Sequence, residues 1–352
     1  MNKHCKTNFE PFLSIYITEE CQLKCKHCYM GHRLNLKRKM SIEQITEILR
    51  FFRITCNQRR VHLLGGEPSL HPNFNEILYL CKDEGYKIVV PTNGLLSKDI
   101  WNNIDLKLID VLAFSLDGGT KITHEYIRGG NTFDRTLHNI NKSVKFGIPT
   151  RITSVINRHN INTVGELLRL CELLHINMLS LHYFTSTGNG KKCNKLQLLP
   201  LEWIKFCKWL KEQNYMPFEI YYPPAFVVCS DAKMLYQYGY KGCTAKNMER
   251  TLIFSDNKVY TCPVFLDREY YYGTFDKNQI ITNPCNKEEQ SNMEVRLSHN
   301  CLDCNNSNIC RGCCLGNNIF NMNIAEEEEE KKIVPICPKW IIPLQKRNLE
   351  KL

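Results

Sequence analysis

The most constraining feature of the sequence is a regular alternation of short apolar runs with longer helical stretches between residues 11 and 184. This alternation is typical of right-handed βα units on a parallel sheet. A closed barrel needs about eight such units, and fewer units predict an α/β fold with a partial (β/α)6 TIM-like barrel whose functional residues follow the strands. The predicted strands are Phe12–Thr18, Val61–Leu64, Lys87–Pro91, Val111–Ser115, Thr150–Ile156 and Met178–Tyr183.

Helices are predicted where apolar residues recur at helical spacing between these strands. Ser41 and Gln44 have the spacing of a capping box at the start of the first helix. Gly85 stands where the second helix should end. This second helix is predicted at Phe74–Lys82, and two further helices are predicted at Glu166–Leu174 and Leu201–Glu212.

Cysteine is the second informative feature, because the chain contains 19 cysteines in 352 residues. The polar N-terminal stretch lacks the pattern of a secretory signal, and no apolar run approaches the ~20 residues of a membrane span. We therefore expect a cytoplasmic protein without membrane association, in which thiols stay reduced and clustered cysteines bind metal.

The net charge of +10 is spread along the chain, with one local concentration of basic residues. This concentration is either a solvated face or a surface that helps to hold an anionic cofactor or an acidic peptide, and no nucleic acid is needed to explain it. It comprises Lys24, Lys26, Arg33, Lys37, Arg38 and Lys39, together with Arg59 and Arg60.

Three cysteines, Cys21, Cys25 and Cys28, follow the first predicted strand with the spacing C-x3-C-x2-C. A structural zinc site and an ordinary [4Fe–4S] cluster each take about four protein ligands, so three thiolates leave one position open. A zinc loop with His27 as the fourth ligand is the alternative.

This motif in the loop after the first strand resembles the signature of the radical S-adenosylmethionine superfamily. The resemblance covers the whole βα half of the chain. It implies a [4Fe–4S] cluster whose open iron binds S-adenosylmethionine, and a 5′-deoxyadenosyl radical formed by reductive cleavage. The protein would supply positioning and exclusion of water.

Further motifs at strand ends resemble those with which the family holds S-adenosylmethionine. His27 resembles the residue whose backbone meets the adenine, and a Gly-Gly turn resembles the one that meets the methionyl amino group. For the polar residues among them, ordinary turn chemistry is the alternative explanation. The predicted cofactor-binding residues are His27, Gly65, Gly66, Glu67, Pro68, Asn93, Ser115 and Asp117.

Ten of the 19 cysteines lie from Cys229 onward. The βα rhythm stops near residue 215, so we place the barrel domain at residues 1–215 and a bridging region with a cysteine-rich domain at residues 216–352. Thiolate ligands suit zinc and iron–sulfur clusters alike, and one or two zinc ribbons are the alternative to clusters.

The C-terminal spacing resembles the SPASM domain, a small cysteine-rich extension that usually holds two auxiliary [4Fe–4S] clusters. The resemblance assigns Cys243, Cys262 and Cys314 to one cluster and Cys301, Cys304, Cys310 and Cys337 to the other. Cys229 is the candidate fourth ligand of the first cluster, with Cys285 or an open iron as alternatives. The glycine usual five residues before the second cysteine is Asn257, which also tolerates a left-handed turn.

These resemblances predict an enzyme that matures a ribosomally made peptide by installing a thioether, carbon–carbon or carbon–oxygen link, or by epimerising a residue. Cys193, Cys285 and Cys313 are candidate hydrogen donors for epimerisation. The expected partners are a precursor peptide and a flavodoxin- or ferredoxin-type electron donor. Because the first strand begins early, we expect no fused leader-binding domain, so a separate recognition protein or direct docking would bind the peptide.

Three alternatives remain open. A sulfatase-type formylglycine maturase would carry an Asp base where this chain has Pro263. A SPASM enzyme acting on a small molecule is the second alternative. A non-catalytic metal-binding scaffold is the third, although it would not need the turn Gly65-Gly66-Glu67-Pro68.

Overall fold

A computed structural model describes residues 12–213, 216–221, 245 and 250–283. All the predicted strands are present, and they pair in parallel and in chain order. The second and third strands each run slightly longer than predicted, and the others have the predicted bounds. The strands are β1 (Phe12–Thr18), β2 (Arg60–Gly65), β3 (Lys87–Thr92), β4 (Val111–Ser115), β5 (Thr150–Ile156) and β6 (Met178–Tyr183).

Helices connect these strands, as the periodicity predicts. The helices predicted after β2, β5 and β6 are found within two residues of their predicted ends, and the helix after β1 begins directly after Ser41, as predicted. Three helices between β3 and β5 were not predicted. The helices are α1 (Ile42–Thr55), α2 (Phe74–Asp83), α3 (Lys98–Asn103), α4 (Lys121–Arg128), α5 (Phe133–Lys145), α6 (Val164–Leu173) and α7 (Pro200–Glu212).

The predicted capping box at the start of α1 is only half formed. Ser41 accepts a hydrogen bond from the backbone N–H of Gln44, as expected of an N-cap. The Gln44 side chain does not return to the cap; its amide donates to Asn257 Oδ1 and to the backbone carbonyl of Ser255. A tertiary contact therefore replaces the local one.

Strands from the second half of the chain extend both edges of the sheet. β7 (Glu219–Tyr221) pairs in parallel with β6, and β8 (Arg250–Ile253) pairs in parallel with β1. Three antiparallel strands continue beyond β8: β9 (Lys258–Tyr260), β10 (Gly273–Asp276) and β11 (Gln279–Thr282). The order across the sheet is β11-β10-β9-β8-β1-β2-β3-β4-β5-β6-β7. The domain boundary at 215/216 stays a prediction, and the described strands after it join the same sheet.

The two faces of the sheet differ in their side chains. Val61 and Leu63 of β2, Ile152 of β5 and Leu179 and Leu181 of β6 are fully buried in the core that the helices cover. Side chains alternate along a strand, so the residues between them point to the opposite face, which we call the inner face. None of the helices in the described ranges is both long and apolar enough to cross a membrane.

Candidate active site

The loop that leaves β1 carries Cys21, Cys25 and Cys28 at the carboxyl edge of the parallel strands. Cys25 is buried, and the other two thiols are partly buried. Burial raises the pKa of Cys21 to about 11 and that of Cys25 to about 12, and it also raises the pKa of Cys28. Neighbouring charges shift these pKa values as well. The Arg128 guanidinium lowers the pKa of Cys25 and of Cys28 and so favours their thiolates.

The turn after β2 is packed directly against this cysteine loop. The backbone N–H of Gly66 donates to Thr18 O at 3.0 Å, and that of Glu67 donates to Glu20 O at 2.8 Å. A Cβ atom on Gly66 would lie 2.3 Å from Glu20 O and 2.7 Å from Cys21 Cβ. Since both distances are far below van der Waals contact, only glycine allows the two loops to meet in this way.

Glu67 joins the turn after β2 to the turn after β3. Its carboxylate accepts hydrogen bonds from the Asn93 backbone N–H at 2.7 Å and from Thr92 Oγ1 at 3.0 Å, and also from the Ser69 hydroxyl at 2.8 Å. Burial raises the pKa of Glu67, and these hydrogen bonds oppose the rise. The Asn93 side chain in turn lies 3.8 Å from Cys21 Sγ. Glu67 thus holds the neighbouring turn in place against the cysteine loop.

Asp117, after β4, is the centre of a buried polar cluster. Its Oδ2 accepts from His27 Nε2 at 2.9 Å and from Arg128 Nε at 2.6 Å, and its Oδ1 accepts from the Val155 backbone N–H at 2.8 Å. Burial alone would raise the pKa of Asp117, but the Arg128 guanidinium and the His27 imidazole hold it well below its usual range. The carboxylate has no exposed surface, and the geometry gives it a positioning role toward His27 and Arg128.

The loop after β6 also packs against the cysteine loop, on the side opposite the turn after β2. The backbone N–H of Asn189 donates to Cys28 O at 2.9 Å, and its side-chain amide donates to Cys25 O at 3.2 Å. A Cβ atom on Gly188 would lie 2.4 Å from Cys28 O. The cysteine loop is therefore held between the turns after β2 and β6.

An aromatic cluster flanks Cys28. Tyr16 stacks on Phe254 with ring centroids 3.8 Å apart, and its hydroxyl lies 3.0 Å from that of Tyr29. Cys28 and Cys262 are both partly buried against this cluster. The cluster connects the cysteine loop with the strands β8 and β9.

The chemistry of the donor set fits an iron–sulfur cluster, because thiolates are the ligands that such clusters take. The thiols share one loop, and each of Cys21 and Cys28 adds to the electrostatic field at Cys25. As the side chains stand, no group of three or more His, Cys, Asp or Glu residues in the described ranges has a ready metal-binding arrangement. The Nδ1 atom of His27 is buried and has no hydrogen-bond partner among the described residues.

Three residues of the predicted basic concentration pair with carboxylates within the chain. Arg33 donates to Glu19 at 2.8 Å and to Asp256 at 2.9 Å, and its side chain is 6% exposed. Arg38 also pairs with Glu19, at 3.0 Å. Lys39 pairs with Glu20, and the Lys26 ammonium lies 3.4 Å from the centre of the Tyr126 ring. The solvated-face interpretation is therefore wrong for Arg33, which is a buried structural residue.

The other predicted site residues lie in different settings. Ser115 is half-buried at the end of β4, and Pro68 begins a short 3-10 helix. Cys193 is partly buried against Ile127 and Phe184. Asn257 has the left-handed φ of 61° that its identity predicts. Several predicted residues lie outside the described ranges: Cys229, Cys243, Cys285, Cys301, Cys304, Cys310, Cys313, Cys314 and Cys337.

Sequence reasoning missed three residues that shape the site. Arg128 ends α4, a helix that was not predicted, and it pairs with Asp117. Glu19 is fully buried beneath the cysteine loop, although its sequence neighbour Glu20 is half-exposed. Asn189 lies far along the chain from the cysteines. On α4, His124 also contacts Asp117, because its Nδ1 accepts from the Asp117 backbone N–H at 3.2 Å. The i, i+4 spacing of His124 and Arg128 is the signal that could have placed both residues on the same helix face.

Comparison with known proteins agrees with the motif. Residues 15–171 match the model of the radical SAM superfamily. A probable GTP 3′,8-cyclase of Saccharolobus solfataricus is 30% identical over 184 residues, which cover 51% of this chain and 58% of that protein. An AdoMet-dependent heme synthase of Methanosarcina barkeri is 25% identical over 218 residues, which cover 59% of this chain and 60% of that protein. The chain thus spans less than two thirds of the length of these relatives.

Solved structures extend the similarity of fold across most of the chain. Streptococcus suis SuiB bound to its precursor peptide SuiA has a TM-score of 0.71 at 19% identity, covering 94% of this chain and 76% of SuiB. anSMEcpe with bound AdoMet has a TM-score of 0.66 at 19% identity, covering 86% of this chain and 88% of that chain. At such identity the similarity establishes the fold. The family match over residues 15–171, which contain the cysteine loop, identifies this part of the chain as a radical SAM domain.

Proposed function

We propose that this protein cleaves S-adenosylmethionine reductively at a [4Fe–4S] cluster held by Cys21, Cys25 and Cys28, and uses the resulting radical to modify a ribosomally made peptide. The observation that carries the first part is the packing of the cysteine loop between the turns after β2 and β6. In open parallel sheets, ligands bind at the carboxyl ends of the strands, where this loop lies.

The bound cluster and S-adenosylmethionine would supply radical chemistry that protein side chains lack. The residues of the chain bind, orient and shield. Glu67 and Gly66 fix the turns around Cys21, and Asp117 fixes His27 and Arg128 beside Cys25 and Cys28. Because these groups are buried and hydrogen-bonded to one another, they hold the cysteine loop and its neighbouring turns in fixed positions.

A peptide substrate is supported by the fold that this chain shares with SuiB, a protein whose structure is bound to its precursor peptide SuiA. The modification we propose is a cross-link or an epimerised residue. Two auxiliary [4Fe–4S] clusters in a SPASM domain belong to this proposal, with Cys262 as the ligand that lies in the described ranges. A formylglycine maturase is the second candidate, supported by the fold of anSMEcpe, which has been solved with bound AdoMet and Cp18Cys peptide.

The radical site is tested by replacing one thiol. We expect Cys25→Ala to abolish formation of 5′-deoxyadenosine from S-adenosylmethionine under anaerobic reducing conditions, because two thiolates cannot hold a cluster with one open iron. The measurement is chromatographic quantification of 5′-deoxyadenosine, with iron and sulfide content determined on the same sample.

Cys56→Ala is the matched control, because Cys56 is an exposed thiol at the end of α1, away from the cysteine loop. This variant should retain wild-type iron content and turnover. Undiminished 5′-deoxyadenosine formation by Cys25→Ala would refute the proposed site.

A further inference from the structure

The inner face of the sheet carries a concentration of positive charge that the proposed radical site does not use. The neighbours of these residues along each strand are buried under the helices, so the residues themselves point to the inner face. The basic side chains come from four strands that span the parallel part of the sheet. The positive charge comes from Arg60, Arg151 and Arg250, and the imidazoles of His62 and His182, whose pKa values are lowered, lie among them.

These side chains lie close enough to interact. Phe12 stacks on His62 with ring centroids 4.5 Å apart, and the Arg250 guanidinium lies 5.2 Å from the Phe12 ring centre. Arg151, on β5, acts electrostatically on His62, on β2. In a flat sheet, the three strand-to-strand spacings from β2 to β5 would place these two residues about 14 Å apart. The sheet therefore curves so that the basic residues face one another.

Neither Arg151 nor Arg250 forms an ion pair with a carboxylate of the described residues. Arg151 Nε and Arg250 Nε are buried and have no hydrogen-bond partner there. Glu219 acts electrostatically on Arg151 but is itself exposed, and Asp117 is already paired with His27 and Arg128.

The positive charge lowers the pKa values of basic groups on the inner face. Burial and the charges of Arg250 and Arg151 lower the pKa of His182 to about 4. Burial and Arg60 lower the pKa of Arg151 itself. Unpaired buried donors cost free energy unless a ligand supplies the acceptors.

We propose that the inner face binds a carboxylate of the substrate, with Arg151 and Arg250 as the residues that hold it. A guanidinium presents a planar pair of donors that matches a carboxylate, and the contact of Arg250 with Phe12 restricts the orientation of its plane. The proposal rests on the proposed function only in taking the carboxylate to belong to the peptide substrate.

The two arginines lie near the amino ends of their strands, because Arg151 is the second residue of β5 and Arg250 pairs with Phe12, the first residue of β1. Arg250 nevertheless acts electrostatically on Tyr16 and on Tyr29, the residue after Cys28. A carboxylate held by these arginines would therefore lie on the inner face, between the amino ends of the strands and the cysteine loop.

The test measures binding without turnover, with glutarate as the probe and glutaramide as the uncharged control at constant ionic strength. Thermal unfolding of the full chain is followed by intrinsic fluorescence for wild type, Arg151→Gln, Arg250→Gln and Arg158→Gln. Arg158 is the matched control because it is a surface arginine paired with Glu202.

Glutarate at a concentration far above its Kd should raise the Tm of wild type and of Arg158→Gln by a few degrees, as expected for a ligand that binds only the folded state. The rise should be absent from Arg151→Gln and Arg250→Gln. Without glutarate, the Tm of these two variants should equal or exceed that of wild type, because each removes one positive charge from a cluster of like charges.

Three results would overturn the proposal. A Tm several degrees lower for both variants without glutarate would make the arginines structural. A larger rise with GTP than with glutarate, lost in Arg151→Gln, would assign the site to nucleotide phosphates. Weaker S-adenosylmethionine binding by reconstituted Arg151→Gln in equilibrium dialysis would assign it to the carboxylate of the cofactor. Cys25→Ala should keep the glutarate response, so this test and that of the radical site fail separately.

Discussion

At the scale of single residues, Asp117 is the buried carboxylate that holds His27 and Arg128 beside the cysteine loop. Its carboxylate is fully buried and is bound by Arg128, a residue with a side chain that is 9% exposed. Removing one partner from a buried ion pair leaves the other charge uncompensated, which typically costs about 3–5 kcal/mol. The carboxylate also fixes His27, the residue next to Cys28.

We therefore expect Asp117→Asn to lower the free energy of unfolding by about 3 kcal/mol or more and to reduce S-adenosylmethionine cleavage. The folded carboxylate has a lowered pKa, so its stabilisation is present above the unfolded pKa of about 4 and is lost as the pH falls toward the folded value. Urea denaturation should give a constant difference between the two proteins from pH 5 to 8, which shrinks below pH 4.

Asp134→Asn is the control for this prediction, because Asp134 pairs with Lys121 on the surface, where both side chains are at least half exposed. Such pairs contribute about 0–1 kcal/mol. Equal effects of the two substitutions would contradict the assigned role of Asp117.

At the scale of elements, the site is a set of strand-end turns packed against one loop. The contact between the turn after β2 and the cysteine loop requires a glycine at position 66, because its nearest neighbours are backbone atoms and Cys21 Cβ. If either loop moved away to make room for a larger side chain, the hydrogen bonds from the Gly66 N–H to Thr18 O and from the Glu67 N–H to Glu20 O would break.

Gly66→Ala should consequently displace the cysteine loop, with a cost of about 1–3 kcal/mol in stability and a large loss of iron after reconstitution. Iron analysis and urea denaturation measure the two effects. Gly165→Ala is the matched control: its Cβ would meet only Trp209, at 3.8 Å, and it should stabilise α6 by about 0.5–1 kcal/mol. Full iron content in Gly66→Ala would show that the close contact is not needed.

At the scale of the whole molecule, a buried ion network connects the two halves of the described chain. Glu19 accepts from Arg33 and Arg38, and Arg33 continues to Asp256 in the turn between β8 and β9. The Arg33 guanidinium also lies 4.5 Å from the Phe254 ring centre. The start of the cysteine loop is thereby attached to the strands that follow β8.

Glu19→Gln should lower the free energy of unfolding by about 3–5 kcal/mol, because it leaves Arg33 buried with part of its charge uncompensated. Glu20→Gln is the matched control in the same loop, since Glu20 forms a half-exposed pair with Lys39 and should contribute at most about 1 kcal/mol. Urea denaturation of both variants checks the difference. A cost for Glu19→Gln no larger than that for Glu20→Gln would contradict the network.

The sequence by itself determined the parallel strands, the helices α1, α2, α6 and α7, and the cysteine loop, because period and spacing are local signals. α3, α4 and α5 were missed. Only the tertiary structure decided what each polar residue contacts. Asp117 meets His27 and Arg128, Gln44 leaves its own cap for Asn257, and Arg33 is buried instead of solvated. These partners lie on different elements, and their pairing depends on how the sheet curves and its loops meet, which no local pattern encodes.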